Sequence, residues 1–353
     1  MSDVLNRLYS QKNEIEYIIK NDKIDHKKRL YLIDTLELIN KNIGYVLSKE
    51  CNISFLKGND LIDYLNNLLN YRIMYRDTLN IDKEYTFGVE IEYEYFNNDR
   101  DLKKFCRDNN INWYMQRELS VFMGSEICSN IMIDDIANWN NLKKVCNFLK
   151  KRGATTINGS AGGHIHIGSH IFENKNNFFN FLKCYLVYED ILNRFFSGEY
   201  INIRNCAFEY APLCRDYYEN DLELFFETTI LSMGINYLSF RDFSVNNTIE
   251  VRRPNGTIEE VIWQNNINVI LKMILKIKNN SFDIEYIDYL LNKYNCYDDR
   301  NVLYNEINIE KGLEFANIFL DEPLDKLNFL RQYFKGYNLC LDKKELIKAK
   351  KYW

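Results

Sequence analysis

Residues 162–170 read Gly-Gly-His-Ile-His-Ile-Gly-Ser-His and contain three of the four histidines in the chain. Successive side chains of a β-strand point to opposite faces, so His164 and His166 would share one face while Ile165 and Ile167 share the other. The run therefore predicts a strand that is apolar on one side and polar on the other.

Two other short segments alternate in the same way. Residues 88–94 read Gly-Val-Glu-Ile-Glu-Tyr-Glu, and residues 248–254 read Thr-Ile-Glu-Val-Arg-Arg-Pro. The glutamates of the first segment share one face, and Glu250 shares a face with Arg252 in the second. Three such strands predict an α+β fold with an antiparallel sheet and helices on its apolar face. The charged face could hold a divalent metal ion and polyphosphate.

The spacing of apolar residues divides the chain into three predicted regions. Residues 1–80 have the helical period and predict a helical N-terminal extension, including a hairpin that turns at Asn21-Asp22 and a third helix over 61–76. Residues 81–280 mix both periods and predict a domain of strands interleaved with helices, and residues 281–353 are again mostly helical. The predicted strands of the central region are 86–96, 112–116, 119–128, 163–168, 236–243 and 248–253, and its clearest helices are 139–151, 178–196 and 258–278.

Composition argues against several classes of protein. The net charge of −5 over 353 residues gives no basic face for nucleic acid. No apolar run approaches the roughly 18 residues that a membrane span needs, and Met1–Val4 does not begin an export signal. The nine cysteines form no C-x-x-C pair, so we expect reduced thiols in a cytoplasmic protein, with Cys128 as a small apolar filler.

Each charged motif, taken alone, also fits a structural role. Exposed edge strands often alternate charge, an H-x-H strand can be structural, and the charges of 250–253 could form a surface ion-pair ladder. A fourth segment changes the balance, because Arg117-Glu118-Leu119-Ser120 is followed by Gly124-Ser125-Glu126-Ile127. The coexistence of four such segments favours a functional site.

In this order the motifs resemble those of the amidoligases in the superfamily of glutamine synthetase and glutamate–cysteine ligase. That family carries G-V-E-x-E, W…D-G-S, G-x-E-x-x-S-P, G-G-H-x-H-I and E-x-R…N-G-T. The corresponding positions here are 88–92, Trp113 with 118–120, 124–130, 162–167 and 250–257, and the resemblance spans about residues 85–278. The chain departs from the pattern with Glu118 in place of Asp, Leu119 in place of Gly and Asn130 in place of Pro.

The resemblance implies a glutamine synthetase-like domain with a curved antiparallel sheet and an ATP-dependent carboxylate–amine ligase. Such an enzyme phosphorylates a carboxylate with ATP, and an amine then attacks the acyl phosphate. The implied cofactors are ATP and Mg²⁺, or Mn²⁺, which tolerates an imidazole ligand well. The implied substrates are carboxylates and amines that are small molecules or peptides.

The resemblance and the strand pattern together give a set of candidate site residues. The predicted metal ligands are Glu90, Glu92, Glu118, Glu126, His164 and Glu250. The predicted catalytic residues are Arg252, Glu90 and His166, and the predicted nucleotide contacts are Arg252, Arg253, Ser120 and Asn255. Arg252 is the candidate for the transferred phosphate because a planar guanidinium matches phosphate oxygens. Arg253 would lie on the opposite face of a regular strand, so its role requires a bulge near Pro254.

Three other functions fit parts of the pattern. A phosphotransferase of the guanidino kinase type could use the same kind of sheet, and only release of inorganic phosphate would distinguish it from a ligase. A metal-dependent hydrolase is disfavoured because no histidine follows His170. A non-catalytic binder is disfavoured because the charged positions of the pattern are still charged. The substrates, the number of ions and the oligomeric state stay open, although related ligases that build sites near subunit contacts make a homo-oligomer reasonable.

Overall fold

A computed structural model describes residues 3–49, 58–156, 160–200, 207–219, 221–228, 234–236, 247–279, 281–293 and 308–335. Its described residues form helices and one six-stranded sheet in which every neighbouring pair of strands is antiparallel. The predicted α+β class and the antiparallel sheet are therefore confirmed.

The strands are β1 (Phe87–Tyr93), β2 (Tyr114–Gln116), β3 (Ser125–Cys128), β4 (Gly163–Gly168), β5 (Ile235–Asn236) and β6 (Thr248–Val251), in the order β2-β3-β1-β4-β6-β5. β4 has the predicted bounds, whereas β3 begins six residues after the predicted start at 119. A turn at Phe122 and Met123 accounts for the late start, because Met123 has a positive φ of 47° that a strand does not allow. Residues 237–243 of the predicted fifth strand lie outside the described residues.

The helices are α1 (Asp3–Asn21), α2 (His26–Lys49), α3 (Gly58–Asn70), α4 (Asp99–Asp108), α5 (Ile136–Lys151), α6 (Lys175–Phe196), α7 (Ala207–Tyr210), α8 (Leu222–Thr228), α9 (Glu260–Lys278), α10 (Ile284–Lys293), α11 (Ile309–Phe319) and α12 (Pro323–Tyr333). Short 3₁₀ helices cover Ser169–Phe172 and Cys214–Tyr217. Among the described helices, none combines the length and the apolarity that crossing a bilayer requires.

Helix ends follow capping and tertiary hydrogen bonds more closely than the apolar period. Asp135 and Asn174 cap α5 and α6 by accepting the N–H of Asn138 and Asn177, so both helices begin three residues before the predicted starts. α3 ends at Asn70, six residues before the predicted end at 76. The backbone N–H groups of Arg72 and Arg76 beyond it bond to the side chains of Asn40 and Gln264, which a helix would not allow.

The apolar face of the sheet is covered by α5, α6 and α9. Alternate residues of β1, β3, β4 and β6 are at most 1% exposed and belong to one hydrophobic core: Val89, Ile91, Ile127, Ile165, Ile167, Ile249 and Val251. Phe87 of β1 stacks on Trp139 of α5 with 5.2 Å between ring centroids. A Cβ at Gly163 would lie 2.2 Å from the Trp263 ring, so this glycine lets α9 approach β4. Burial of each large side chain here stabilises the fold by about 1.5–3 kcal/mol.

Helices from both ends of the chain join the same core. α2 packs on α1, and α12 packs on α2, α3, α6, α9 and α11. The apolar core that contains the sheet residues also contains Leu5 of α1 and Phe334 just after α12. The terminal helices therefore support the apolar side of the sheet. The division of the chain at residues 80 and 280 stays a prediction.

Candidate active site

The strand register places the charged residues of four strands on one face. β1 lies between β3 and β4, and Glu90 is opposite Cys128 on one side and His164 on the other. Glu92 is opposite Glu126 of β3. On the next strand pair, His166 is opposite Glu250 of β6. The side chains opposite to this set are the buried apolar ones, so the predicted separation of a charged and an apolar face is present in the structure.

His164 is the centre of the charged face. Its Nδ1 atom lies 2.6 Å from Oε2 of Glu90 and 3.1 Å from Oε1 of Glu250. Its Nε2 atom lies 3.6 Å from Oε1 of Glu92. The His164 side chain is only 8% exposed, so these three carboxylates are gathered around a ring that is nearly sealed from solvent.

His166 lies beside this centre and is more accessible, with 28% of its side chain exposed. Its Nε2 atom is 3.1 Å from Oε1 of Glu90, and its Nδ1 atom is 3.3 Å from the Thr248 hydroxyl. Burial alone would lower the pKa of His166, but the hydrogen bond and charge of Glu90 outweigh it and raise the pKa. Burial alone would likewise raise the pKa of Glu90, but His164 and His166 hold it below its ordinary value.

Glu126 is in a different electrostatic environment. It is 6% exposed, and burial together with the nearby charges of Glu90 and Glu92 raises its pKa to about 8. Glu92 accepts the backbone N–H of Gly162, whereas Glu126 accepts the thiol of Cys128 over 3.6 Å. The charged face therefore holds one buried carboxyl group that repulsion disfavours in its ionised form.

Arg252 lies at the β6 side of the carboxylates. Its Nη1 atom donates to Oε1 of Glu250 over 2.5 Å, and Asn236 of β5 donates to Oε2 of the same carboxylate over 2.8 Å. The Arg252 side chain is 21% exposed. Glu250 thus fixes a guanidinium group at the rim of the charged face, where a phosphate could reach it.

Two sets of donor atoms have the spacing of metal ligands. Glu90, Glu126 and Cys128 each offer an atom within 4.8 Å of the others, and so do Glu90, His166 and Glu250. Glu90 belongs to both sets. Carboxylate oxygens suit Mg²⁺, and an added imidazole nitrogen suits Mn²⁺ or Zn²⁺, so the donor chemistry fits divalent cations.

The structure brings most of the predicted site residues together. Glu90, Glu92, Glu126, His164, His166, Glu250 and Arg252 lie on the charged face. Glu118 and Ser120 lie in the turn between β2 and β3, where the Glu118 carboxylate accepts the Ser120 N–H over 2.8 Å. Neither is brought into contact with the carboxylates of the charged face within the described part of the chain, and their roles stay predictions.

Arg253 and Asn255 lie away from the charged face. Arg253 is 0% exposed and donates from Nε to Asn193 over 2.6 Å and from Nη1 to the carbonyl of Ala211. The Asn255 side chain is turned toward the carbonyl of Ser197 at 3.4 Å. β6 ends at Val251 with regular alternation, so Arg253 is on the side opposite to Arg252. Both residues contact the region that follows α6, and their role as nucleotide contacts stays a prediction.

Sequence reasoning overlooked the β2 side of the site. Tyr114 is opposite Cys128, and Gln116 is opposite Glu126, so both extend the charged face onto the edge strand. Cys128, expected to be an apolar filler, is on the charged face, and the apolar position between the two polar ones is Ile127. The signal was present, because Cys128 follows Glu126 by two residues within a strand and must share its face.

The structure thus presents an antiparallel sheet with one face of carboxylates, imidazoles and an arginine. A family model described as "putative amidoligase enzyme" matches residues 98–274, just over half of the chain. The chain belongs to this amidoligase family, and membership places it among enzymes of the ligase type. A search of curated proteins found no match.

The matched stretch and the charged face overlap but are not identical. Glu126, His164, His166, Glu250 and Arg252 lie inside the match, whereas β1 lies before it. β1 nevertheless pairs with both β3 and β4 and contributes Glu90, which contacts both histidines. The geometry therefore adds the central strand to the part of the site that the family model covers.

Proposed function

We propose that this protein is an ATP-dependent carboxylate–amine ligase that works through an acyl phosphate. The single observation that supports this most is the convergence of Glu90, Glu92, Glu126 and Glu250 around His164 and His166, with Arg252 at the rim. Family membership supports the ligase class, and the donor chemistry supports Mg²⁺ or Mn²⁺ with ATP. The proposed substrates are an amino acid, a peptide or a related carboxylate together with an amine.

The residues of the charged face divide into those that would hold cations and one that would contact phosphate. The carboxylates and the two imidazoles would hold the divalent ions, with Glu90 shared between positions. Bound Mg²⁺ or Mn²⁺ would neutralise and align the polyphosphate oxygens. Arg252 is positioned by Glu250 to contact the transferred phosphoryl group, for which its planar fork is suited. Glu118 and Ser120, in the turn between β2 and β3, could contact the nucleotide or the substrate only from the rim.

The proposed reaction has two steps. A carboxylate oxygen of the substrate attacks the γ-phosphorus of ATP, the bond to the β-phosphate oxygen breaks, and ADP leaves with its electron pair. The amine nitrogen then attacks the carbonyl carbon of the acyl phosphate, inorganic phosphate leaves, and the nitrogen loses a proton. The products are an amide, ADP and phosphate. A cytoplasmic location, where ATP and reduced thiols coexist, is part of the proposal.

A hydroxylamine trap tests this function without knowledge of the amine. The protein is incubated with ATP, Mg²⁺ and hydroxylamine against a panel of amino acids and dicarboxylates, and hydroxamate, ADP and inorganic phosphate are measured. A ligase yields all three in equal amounts with at least one carboxylate. A kinase of the guanidino type yields ADP and a stable phosphorylated product without inorganic phosphate, and a hydrolase needs no ATP.

Two variants control the experiment. Glu126→Ala should abolish hydroxamate formation, whereas Glu285→Ala, which removes an exposed carboxylate from α10, should leave it unchanged. ADP release without inorganic phosphate would contradict the ligase proposal, as would hydroxamate that forms equally well without ATP.

A further inference from the structure

Cys128 lies on the charged face but has no role in the proposed ligase chemistry. It is 1% exposed and lies on β3 between Glu90 of β1 and Tyr114 of β2. Its sulfur is 3.6 Å from Oε1 of Glu126. Sulfur and one oxygen from each of Glu90 and Glu126 all lie within 4.8 Å of one another, which is the spacing of ligands to a single ion.

The other cysteines that the structure describes have a different environment. Cys106, Cys146, Cys184 and Cys214 are all buried within the hydrophobic core, where a cysteine serves as a small apolar residue. Among the described residues, Cys128 is the one cysteine that belongs to a group of potential metal ligands. Packing therefore accounts for the other four and does not account for Cys128.

Glu126 provides an independent sign that a cation belongs here. More than nine-tenths of this residue is buried, and its neighbours on the charged face are the carboxylates of Glu90 and Glu92. Its carboxyl group contacts the Cys128 thiol over 3.6 Å and shares a side-chain hydrogen bond with the Glu90 carboxyl group. Carboxyl groups gathered this closely repel one another when ionised, and a bound cation would offset that repulsion.

Gln116 adds a feature that is typical of thiolate ligands. Its Nε2 amide group donates toward the sulfur of Cys128 over 3.6 Å from the neighbouring strand β2. N–H groups directed at a ligating atom orient it and tune the metal, as outer partners do in other metal sites. The sulfur thus has a donor on one side and two carboxylates on the other.

We propose that Cys128 is a thiolate ligand to a divalent cation that Glu90 and Glu126 also bind, and that it shifts the preference of this position from Mg²⁺ toward thiophilic ions. This proposal rests on the proposed function in one respect: the position is one of the cation positions of the charged face. On binding, a sulfur–metal bond forms, the S–H bond breaks, and the proton goes to solvent, with no change of oxidation state. Soft thiolate ligands favour ions such as Zn²⁺, Cd²⁺ and Co²⁺ over Mg²⁺, which prefers oxygen.

A thiol must lose its proton to become a metal ligand. Binding of a cation at this position should therefore release a proton, which calorimetry in buffers of different ionisation enthalpy detects.

The test is titration of Co²⁺ into chelator-treated, full-length protein, followed by absorption spectroscopy. A thiolate ligand gives an intense sulfur-to-cobalt charge-transfer band in the near ultraviolet, which oxygen and nitrogen ligands do not give. The wild type should show the band, Cys128→Ser and Cys128→Ala should lose it, and Cys106→Ala should keep it as the matched buried control. Cd²⁺ affinity should fall at least about tenfold in Cys128→Ala, since even loss of an outer partner costs that much, while Mg²⁺ affinity stays nearly unchanged.

Several results would overturn the inference. One such result is Co²⁺ that binds to the wild type by calorimetry without producing the band. The others are a band that survives in Cys128→Ala and the absence of any Co²⁺ binding. Mg²⁺-dependent ATP binding is measured separately on the same protein. ATP binding without the thiolate band leaves the ligase proposal intact and removes this one, and the band without ATP binding does the reverse.

Discussion

Arg252 and Arg253 are adjacent in the chain but lie on opposite sides of the sheet. Behind the sheet, Arg253 is fully buried and donates to the Asn193 side chain and the Ala211 carbonyl. On the charged face, Arg252 is partly exposed and is bonded to Glu250, in a cluster where carboxylates outnumber the arginine. Buried polar groups with hydrogen-bond partners, such as Arg253, support the fold. The excess of carboxylates on the charged face instead marks a place for a ligand.

Two buried carboxylates repeat the contrast. Glu189 of α6 accepts the backbone N–H groups of Cys214 and Arg215 over 2.8 and 3.0 Å. Glu126 contacts the Cys128 thiol and the Glu90 carboxyl group. Burial is the largest factor that raises the pKa of both, but Glu189 is adjacent to arginines and Glu126 is adjacent to other carboxylates. Glu189 is therefore matched by donors and positive charge, whereas Glu126 is surrounded by groups of like charge.

The largest effect is expected for Arg252→Ala. It should lower the rate of acyl-phosphate formation by about 10³-fold or more, the range seen for arginines that stabilise phosphoryl transfer. Because the side chain is at the rim, the free energy of unfolding should change by less than about 1 kcal/mol. Hydroxamate assays and thermal unfolding measure the two quantities. Loss of stability with retained activity would reverse the roles given to the two arginines.

Arg253→Ala should act on the fold. Removal of this side chain leaves the Asn193 oxygen and the Ala211 carbonyl without their donor, at about 1–3 kcal/mol for each buried acceptor. Denaturant unfolding measures the loss, and Arg253→Lys, which keeps one donor, should fall between the wild type and the alanine variant. A variant as stable as the wild type would show that Arg253 is not a structural residue.

Glu199, which follows α6, should make the free energy of unfolding depend on pH. Burial raises its pKa to about 7 against an ordinary 4.5, with the Thr257 hydroxyl and Lys335 acting against the rise and Glu259 adding to it. Between pH 4.5 and about 7 the folded protein holds a proton that the unfolded chain has released, so the free energy of unfolding falls as the pH rises. The contribution of Glu199 should be about 1–3 kcal/mol, so the fall should be smaller in Glu199→Gln, while Glu126, whose pKa is also raised, keeps its own contribution. An equal slope in the variant would assign the pH dependence to another group.

The smallest effect is expected for Glu126→Gln in metal-free protein. An amide removes the repulsion from Glu90 and Glu92, so the variant should be more stable than the wild type by about 0.5–2 kcal/mol. Added Mg²⁺ or Co²⁺ should stabilise the wild type and have less effect on the variant. Thermal unfolding with chelator and with metal measures both. A destabilised metal-free variant would mean that Glu126 supports the fold like Glu189.

Local sequence pattern predicted the elements of this site but not their arrangement. The bounds of β4 follow from strict alternation between two glycines, and the charged face of β1 follows from the same rule. The start of β3 did not follow, because a turn with a positive φ at Met123 precedes it, and methionine gives no sign of such a turn in the sequence. The register that sets Glu90 against both Cys128 and His164 depends on strand pairing and is invisible in any one segment.

The same limit explains the residues that were misplaced or overlooked. Alternation predicted that Arg253 would lie opposite to Arg252, and Arg253 is fully buried behind the sheet, although the pairing gains one residue between Val251 and Asn255. Cys128 was treated as apolar by residue type, although its position two residues after Glu126 placed it on the charged face. Tyr114 and Gln116 could be assigned to the site only once β2 was known to pair with β3.

The central claim is that the charged face binds nucleotide through divalent cations, and calorimetric titration of ATP tests it most directly. ATP is titrated into the wild type and Glu126→Ala with Mg²⁺, with Mn²⁺ and with chelator. We expect binding to the wild type that requires the metal and that weakens in the variant. ATP that binds equally well with chelator, or metal that binds while ATP does not, would contradict the account.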